Sequence, residues 1–465
     1  MRLYAAVARR LGTFGGNRSG SFAIMTAAIM AVLALSAGYA VNIAQLYNVR
    51  SNLRQALDAA VTSTARDITT GIIEVDDARV WVELFLKANG DPSMMDGDRI
   101  VLDQLTVDKI SGTVEASAHV DVAIYFPLFG ASNERRVRGE SAALYSDKKI
   151  EVAMMLDVTD SMSGSKISDL KDAASNAVDA LTKGQNKANP RVRIALVPYS
   201  DGVNVGALAK DVVFVEKAGA WDLPPPIDAK KAEINANTGT QTDNCATERK
   251  DENLKADFSD DAPDAKRTRN INGKDRDYYA KVNRDDRLNS CAKAVLKPLS
   301  PDADALKKQI KGFSVAGYTA GAIGVQWTYY MLSEKWRPAI QKAGLGDGPA
   351  DADPKEVAKI AILMTDGEFN TAHADVSGDK NAVRKQNAKS RSYAESLCEN
   401  MKADGIEIFS IGFKLNSSEA RNVLKNCASP DTGSLKRYYE TSTGDELNDA
   451  FMTIARNIEA LVLTH

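Results

Sequence analysis

Five oxygen-bearing side chains, in three separate stretches of the sequence, have the types and spacing of a metal site. Two carboxylates and three hydroxyls make up the set: Asp157, Thr159, Ser161, Thr319 and Asp366. The first three alternate along "MMLDVTDSMSGSK", and alternate residues of an extended chain point to the same side. Oxygen donors without His or Cys suit hard cations such as Mg²⁺, Mn²⁺ or Ca²⁺, and not zinc. The two carboxylates balance a divalent charge, so we predict a divalent cation, with Mg²⁺ preferred.

Other chemistries fit these stretches less well. Ser163 or Ser165 is expected to cap the helix that follows, but capping does not explain an aspartate at a strand end. An aspartyl-phosphate nucleophile would need a second aspartate two residues after Asp157, where Thr159 stands. The sequence has no G-x-x-x-x-G-K-[ST] loop, and its histidines lie outside any catalytic-triad context. We therefore expect a binding protein rather than an enzyme, with His373 in a surface loop.

Alternating strands and helices must position the candidate ligands from residue 149 onward. The predicted apolar strands are 152–157, 192–199, 358–366 and 406–413, and the predicted amphipathic helices lie near 166–182, 319–334, 382–403 and 444–461. Strands that are apolar throughout and separated by helices indicate a mostly parallel, doubly wound α/β sheet. Ligands of such sheets bind at the carboxyl ends of the strands, where Asp157 and Asp366 stand.

A charged stretch interrupts this alternation at about residues 221–300. Its composition, rich in charge and poor in aliphatic residues, is typical of disorder. The chain has four cysteines and no C-x-x-C, which suggests two disulfides in an oxidising compartment, with reduced buried cysteines as the alternative. Of the three possible pairings, proximity favours Cys245–Cys291 and Cys398–Cys427. We expect a surface insertion that is closed by the first of these disulfides and partly ordered. It either contacts a partner or is only exposed to solvent.

The N-terminal region predicts a membrane anchor. No charged residue occurs between Ser19 and Val49, and about 20 such residues span a hydrocarbon core of about 30 Å. Four arginines and no acidic residue precede this run, so the positive-inside rule places that end in the cytoplasm. A cleaved signal is disfavoured because the run exceeds the usual core of about 7–15 residues and no clean A-x-A site closes it. We predict a basic cytoplasmic leader at 1–20 and one membrane span at 21–47, with the bulk of the chain exported.

Residues 48–148 form a separate predicted segment between the span and the alternating region. An apolar stripe at three- and four-residue steps continues the helix: Leu46, Val49, Leu53, Leu57, Ala60, Thr64 and Ile68. "ARVWVELFLKAN" predicts a short helix, and "GTVEASAHVDVAIYF" alternates like a half-buried strand. By fold analogy, a helix and sheet of this size behind a long helix are pilin-like.

The overall composition is that of a soluble globular chain apart from this anchor. The 465 residues predict more than one domain, and 44% hydrophobic with 26% charged residues is an ordinary globular balance. With a net charge of -3 and a pI near 5.9, nothing indicates a nucleic-acid partner.

The five candidate ligands resemble the metal-ion-dependent adhesion site of von Willebrand factor type A domains. That family uses D-x-S-x-S, a later Thr and a later Asp on a doubly wound sheet, and the resemblance covers about 149–464. Thr159 stands in place of the first Ser, and Asp160 replaces the usual Gly. The resemblance implies a cation with one open position that binds a partner's carboxylate. Asp160 would add an outer acceptor, occupy the open position or weaken partner binding.

The N-terminal region and the second loop narrow the resemblance. "NRSGSFAIMTAAIM", "YNVRSNLRQALDAAVTSTA" and "GYTAGAIGVQWTYYMLS" resemble TadG-like proteins of bacterial Flp (tight-adherence) pilus assembly. Gly20 before the apolar run is similar to a prepilin processing site, but Met25 in place of Glu predicts retention in the membrane. The resemblance implies a periplasm-facing component of pilus assembly or secretion that binds partner proteins through the metal site. The alternative is a surface adhesin that binds a host or matrix ligand there.

Overall fold

The computed structural model describes residues 20–69, 72–89, 99–108, 112–127, 133–145, 148–186, 188–217, 224, 239–289, 291–433 and 435–464. Apart from its last residue, the predicted leader at 1–20 lies outside the described residues. The chain divides into two compact units. The first comprises Met1–Ile68 with Ile73–Ser146, and the second comprises Thr69–Ile72 with Asp147–His465.

In the first unit a long helix packs on a three-stranded antiparallel sheet. The helices are α1 (Gly20–Thr69) and α2 (Ala78–Asn89), with a short 3₁₀ turn at Val75–Asp77. The strands, in sheet order, are β1 (Ile100–Asp108), β2 (Thr113–Ala123) and β3 (Glu134–Leu144).

Helix α1 changes character along its length. From Ala23 it is long and apolar enough to cross a membrane, with a mean hydropathy of 2.0 over a window that is 6% buried. Beyond this part, the predicted stripe is confirmed: Val49, Leu53, Leu57, Ala60, Thr64 and Ile68 are buried, and Leu46 is partly buried. The predicted alternation of β2 is confirmed as well, with Val114, Ala116, Ala118, Val120 and Val122 buried. The two buried stripes form the core of this unit.

The second unit is built on a six-stranded sheet. Its strands, including short pairs outside the main sheet, are β4 (Lys149–Asp157), β5 (Val192–Tyr199), β6 (Val203–Asn204), β7 (Val213–Val215), β8 (Cys245–Ala246), β9 (Lys266–Ile271), β10 (Lys274–Tyr279), β11 (Val282–Arg284), β12 (Lys297–Ser300), β13 (Val357–Thr365), β14 (Glu407–Phe413) and β15 (Tyr438–Thr441). Its helices are α3 (Ser165–Leu181), α4 (Ala209–Val212), α5 (Ala303–Lys311), α6 (Gly321–Tyr330), α7 (Arg337–Lys342), α8 (Lys380–Val383), α9 (Asn387–Ala403), α10 (Ser418–Cys427) and α11 (Gly444–Thr464).

The sheet order is β12-β5-β4-β13-β14-β15, and every pair is parallel except the edge pair of β12 with β5. Helices α3, α5 and α11 cover one face, and α6, α9 and α10 cover the other. The central strands are buried on both faces, which explains their uninterrupted apolar sequences. The predicted parallel-rich α/β sheet is therefore confirmed.

Two disulfides, Cys245–Cys291 and Cys398–Cys427, confirm the predicted pairing. They close loops of 46 and 29 residues. In the chain-entropy model such loops contribute about 4 and about 3.6 kcal/mol to stability, respectively.

The described residues of the insertion, 224, 239–289 and 291–300, bury charged side chains beside aliphatic ones such as Val282, Leu288 and Leu296. The Arg249 and Lys250 side chains are 0% and 2% exposed. The Arg249 guanidinium lies 4.9 Å from the ring centroid of Tyr330 and 5.6 Å from that of Trp336. Residues 221–223, 225–238 and 290 of the predicted insertion lie outside the described residues. A segment whose composition is typical of disorder is thus held by paired charges, a few buried aliphatic side chains and one disulfide.

Candidate metal centre

The two predicted carboxylate ligands meet at one edge of the sheet, where β4 and β13 end side by side. Asp157 is the last residue of β4, and Asp366 follows the last residue of β13, its parallel neighbour. The strand order reverses between these two strands, which opens a crevice at their carboxyl ends. The two aspartates are 0% and 5% exposed; Thr159 and Thr319 are also buried, whereas Ser161 is exposed. The crevice therefore holds two buried carboxylates close to solvent.

A chain of hydrogen bonds joins four of the predicted residues. The Thr159 hydroxyl donates to Oδ1 of Asp157 over 2.6 Å, and its oxygen lies 2.8 Å from the Ser161 hydroxyl oxygen. The Ser161 hydroxyl donates to Oδ1 of Asp366 over 2.6 Å. Each hydroxyl carries one proton, so these three contacts share only two. The remaining contact brings two lone pairs together, which a carboxyl proton or a cation bound by these oxygens would stabilise. The donor set therefore fits a hard divalent cation.

Asp157 is the most constrained of the ligands. Its Oδ1 also accepts the backbone N–H of Thr159 at 2.9 Å, and its Oδ2 accepts the hydroxyls of Tyr199 at 2.9 Å and Thr365 at 2.7 Å. Burial, and then the charge of Asp366, raise the pKa of Asp157 to about 6, against the hydrogen bonds from Thr159 and Thr365. Two buried carboxylates that repel each other are stabilised by a counter-charge, so the electrostatics also favour a cation.

Thr319 is brought to the site by a close turn at Gly367. A Cβ at Gly367 would lie 3.1 Å from Oγ1 of Thr319 and 3.6 Å from Oγ of Ser161, so a side chain there would crowd both oxygens. The N–H of Thr319 donates to Oδ1 of Asn370 at 3.2 Å, and its carbonyl accepts the N–H of Asn370 at 3.0 Å. The structure thus brings all five predicted residues to one site: Asp157, Thr159, Ser161, Thr319 and Asp366. That they bind a metal stays a prediction.

Lys166 is a site residue that the sequence did not reveal. From the first turn of α3, its Nζ donates to Oδ2 of Asp366 over 2.5 Å, with 24% of the side chain exposed. The ammonium therefore places a positive charge on a carboxylate that is predicted to bind a cation.

Tyr199 and Thr365 are two further site residues that were not predicted from the sequence. Both lie at the ends of predicted strands beside Asp157, which was a usable signal.

We expect Lys166→Met to raise the affinity for Mg²⁺, because the ammonium and the cation compete for the Asp366 carboxylate. Removing one partly exposed charge of this kind should make the binding free energy of Mg²⁺ more favourable by about 1–2 kcal/mol, which lowers the Kd roughly tenfold. Isothermal titration of the full-length chain with Mg²⁺ measures it. Lys183→Met, at an exposed position just after α3, is the matched control and should leave the Kd unchanged. A Kd that is unchanged or higher in Lys166→Met would show that the lysine does not compete with the cation.

The loop after β13 is covered by the insertion, and His373 lies beneath it. His373 is 1% exposed, so its predicted place in a surface loop is wrong. Its N–H donates to the carboxylate of Glu248 at 3.1 and 3.2 Å, and Nη2 of Arg287 donates to its carbonyl at 2.7 Å. Burial disfavours the charged ring, yet the carboxylates of Asp285 and Glu248 raise the pKa of His373 above its ordinary value. The insertion therefore positions the loop that carries Asp366.

Asp201 fixes the second loop and was also missed. Its carboxylate accepts the backbone N–H of Tyr318, which precedes Thr319, and Nη2 of Arg384 at 3.2 Å. Burial raises the pKa of Asp201, against the hydrogen bond from Tyr318 and the charge of Arg384. Asp201 is thus a positioning residue for the loop that carries the hydroxyl ligand Thr319.

The start of α3 differs from the prediction that Ser163 or Ser165 caps it. The N-cap residue is Gly164, with φ 79° and no side-chain cap, and the Ser163 hydroxyl instead donates to the carbonyl of Asp160 at 2.7 Å. A 3₁₀ turn at Asp160–Met162 leads the chain into this positive φ, which favours glycine. Asp160 is exposed, and its N–H donates to the carbonyl of Gly317 at 3.0 Å.

A second acidic group, Glu216 with Asp285 and Asp286, lies among the described residues of the second unit, and its oxygen atoms are close enough to hold an ion. The ammonium of Lys250 already lies 2.6 Å from Oε1 of Glu216 and 2.8 Å from Oδ2 of Asp285. This group therefore already carries its own counter-charge, as Asp366 does through the ammonium of Lys166.

Comparisons with known proteins return solved structures with low similarity and no sequence relative. No protein-family model matches the chain, and no curated protein sequence matches it. The pilus adhesin SpaC from Lactobacillus rhamnosus GG matches with 11% identity and a TM-score of 0.35, over 80% of this chain and 34% of SpaC. This chain thus spans about a third of the length of that adhesin.

Two further solved structures are named for a vWF domain and for a MIDAS motif, respectively. The vWF domain of the type V pili tip protein Mfa5 from Porphyromonas gingivalis matches with 13% identity and a TM-score of 0.34, over 68% of this chain and 96% of that domain. Proximal thread matrix protein 1 of the mussel byssus, described with a zinc-occupied MIDAS motif, matches with 15% identity and a TM-score of 0.29, over 66% of this chain and 46% of that protein. At these identities and TM-scores, the similarities establish neither a family nor a function for this chain.

Proposed function

We propose that this chain is a membrane-anchored component of bacterial pilus assembly or secretion that binds partner proteins through a divalent cation. The observation that carries the proposal is the chain of four oxygen ligands from Asp157 to Asp366 at the sheet edge, in which three close contacts share two hydroxyl protons. Mg²⁺ is the proposed ion, and Asp157, Thr159, Ser161, Thr319 and Asp366 are the proposed ligands. A cation at this edge would supply a Lewis-acidic position for a carboxylate of the partner.

The finer assignment is a TadG-like protein of Flp (tight-adherence) pilus assembly with a C-terminal von Willebrand factor type A domain. The sheet order supports the type A domain, since the order reverses beside Asp157 as in doubly wound sheets that bind ligands there. The long helix on a small antiparallel sheet supports the pilin-like description of the first unit. The proposed place is the inner membrane, with the N-terminus cytoplasmic and the bulk periplasmic or extracellular.

Binding rather than catalysis is proposed because the crevice offers oxygen ligands and a lysine but no activated nucleophile. Ser161 donates its proton to Asp366, and Thr159 donates to Asp157, so neither hydroxyl is paired with a histidine base. His373, the histidine nearest in sequence to Asp366, is buried against Glu248 and Asp201. The side chains at the edge therefore hold an ion and orient a partner.

The test is an affinity pull-down of the full-length chain from detergent-solubilised membranes, with Mg²⁺ or with EDTA. We expect pilus-assembly or secretion proteins to be retained with Mg²⁺ and lost with EDTA or with Asp366→Ala. Retention that is indifferent to both would refute metal-dependent partner binding. Protease treatment of intact cells separates the alternatives: protection of residues 149–464 supports the periplasmic component, and cleavage there supports the surface adhesin.

A further inference from the structure

Residues 123–126, at the end of β2 and just after it, lie against the part of α1 where the apolar run ends. Asn42 is 7% exposed; its Nδ2 donates to the carbonyl of Phe126 over 2.7 Å, and its Oδ1 accepts the N–H of Phe126 at 3.0 Å. One helical turn later, Gln45 donates to the carbonyl of Ala123 at 2.9 Å and accepts the N–H of Tyr125 at 3.3 Å. Two side-chain amides of the helix thus satisfy backbone groups of residues 123–126.

Gly38 lies one helical turn before Asn42, nearer the apolar part of α1. Its missing side chain lets Phe126 approach the helix there. A Cβ at Gly38 would lie 3.3 Å from both Cβ and Cγ of Phe126, so the aromatic residue rests where this helix has no side chain. A residue larger than glycine here would push Phe126 away. The contact therefore reaches back along α1 into the run without charged residues.

The distance along α1 places this contact at the end of a membrane span. Counting 1.5 Å per residue from Ala23, where the candidate span begins, Gly38 lies about 22 Å along the helix and Gln45 about 33 Å. A hydrocarbon core is about 30 Å thick, so residues 123–126 stand at the level of the outer boundary. Tyr39 and Tyr47, which flank this level on α1, are 56% and 73% exposed.

A second contact fixes the direction in which β2 and β3 run. Gly139, in the middle of β3, lies against Leu53 and Leu57 of α1, where a Cβ would be 3.2 Å from Cγ of Leu53 and 3.1 Å from Cδ1 of Leu57. The strands β2 and β3 therefore run along α1, with the middle of β3 on the amphipathic part and residues 123–126 on the apolar part. Leu144, at the far end of β3, pairs with Thr113 and so lies about 36 Å from residue 124 at the rise of an extended strand.

Residues 125 and 126 present aromatic side chains that nothing in the described residues covers. Tyr125 is 68% exposed and Phe126 is 53% exposed. Aromatic side chains are enriched where hydrocarbon meets headgroups, because their rings are apolar and their edges or hydroxyls remain hydrated. A polar amide within an apolar span is costly unless it is satisfied, and the backbone of Phe126 satisfies Asn42.

We propose that residues 124–127, the described start of the connection from β2 to β3, are a second membrane contact that lies in the bilayer interface beside the outer end of α1. This inference rests on the proposed membrane anchor. The occupant of the aromatic surface is the lipid of the same bilayer that α1 crosses. With two contacts on one bilayer, the first unit is held against rotation about the helix axis, and its sheet stands along the membrane normal.

The test measures the depth of single spin labels in the full-length chain, reconstituted in phosphatidylcholine nanodiscs. The native cysteines are paired in disulfides, so labels attach only to introduced cysteines. Tyr125→Cys reports residues 124–127, Leu144→Cys reports the far end of β3, and Val32→Cys reports the span; the three native residues are 68%, 54% and 61% exposed. Collision rates with oxygen and with a water-soluble nickel chelate give the depth of each label.

We expect the label at 32 to be deep, the label at 144 to be aqueous, and the label at 125 to be several-fold less accessible to nickel than that at 144. If the label at 32 is deep and those at 125 and 144 are equally aqueous, residues 124–127 are not a membrane contact, while the proposed anchor stands. If the label at 32 is aqueous, the anchor fails and this inference fails with it. Circular dichroism of each labelled chain verifies that the fold is retained.

Discussion

Asp157→Ala and Asp366→Ala are each expected to abolish the stabilisation that Mg²⁺ gives the full-length protein. A ligand present at about 100 times its Kd stabilises the folded state by about 2.7 kcal/mol, which for a unit of this size raises Tm by about 5 °C. The two carboxylates supply the negative charge of the site, and without either one the hydroxyls of Thr159 and Ser161 do not bind a divalent ion strongly. Differential scanning calorimetry of the chain with Mg²⁺ or EDTA measures the shift.

The controls separate loss of binding from loss of fold. Asp366→Asn keeps the shape and the acceptor for Ser161 but removes the charge that pairs with Lys166. It should lose the Mg²⁺ response, and its Tm in EDTA measures what the lost ion pair with Lys166 contributes to the fold. Asp172→Ala removes an exposed carboxylate on α3 and should keep the full response. A Tm rise equal to that of the wild type in both alanine variants would rule out a cation at this edge.

The parts of the fold that follow from local sequence were predictable. Strands such as β4 and β13 are buried on both faces, so their apolar runs mark them without any knowledge of the partner strands. Asp157 and Asp366 could be placed together because the carboxyl ends of parallel strands meet at one edge. The disulfides were predictable from proximity because each closes a local loop, of 46 and 29 residues.

What the sequence did not show depends on contacts between distant segments. Lys166 and Asp366 are 200 positions apart, and periodicity places the lysine only on a helix. The helix predicted at 382–403 is interrupted between α8 and α9, where the N–H of Gln386 donates to the carbonyl of Asn370 in the loop after β13. His373 is buried because the insertion folds over it, through Glu248 and Arg287. Composition averaged over the insertion does not reveal such pairings.

The insertion also shows why a charged segment can be ordered. Glu216, Lys250 and Asp285 each have side chains that are no more than 2% exposed, and the ammonium bridges the two carboxylates at 2.6 and 2.8 Å. Asn283 adds a hydrogen bond of 2.8 Å from its Nδ2 to Oε1 of Glu216. Burial raises the pKa of Glu216 to about 7 even though Lys250 opposes the shift. Each buried charge is therefore stable only while its partner is present.

Lys250→Met is accordingly expected to lower the free energy of unfolding by about 3–5 kcal/mol, the cost of leaving a buried ion without its partner. Glu216 bears most of this cost, because Asp285 keeps a second ion pair with Arg287 at 2.7 Å. Guanidinium unfolding of the full-length chain in detergent, followed by far-ultraviolet circular dichroism, measures it. The double variant Lys250→Met with Glu216→Gln removes both charges and should recover more than half of the loss.

The pH dependence of the same variant identifies the unpaired group. A carboxyl whose folded pKa is raised binds more protons in the folded state, so its stability contribution is largest at low pH and is lost as the pH rises through the folded pKa. In the wild type this window lies between the ordinary pKa of Glu216, 4.5, and about 7. Without Lys250 the folded pKa of Glu216 is higher still, so this pH range extends upward. The loss in free energy of unfolding caused by Lys250→Met should therefore be smaller at pH 5 than at pH 8. Lys307→Met, which removes an exposed ion pair with Asp179, should change little at either pH. An equal deficit at both pH values would show that lost packing, and not the unpaired Glu216, destabilises the variant.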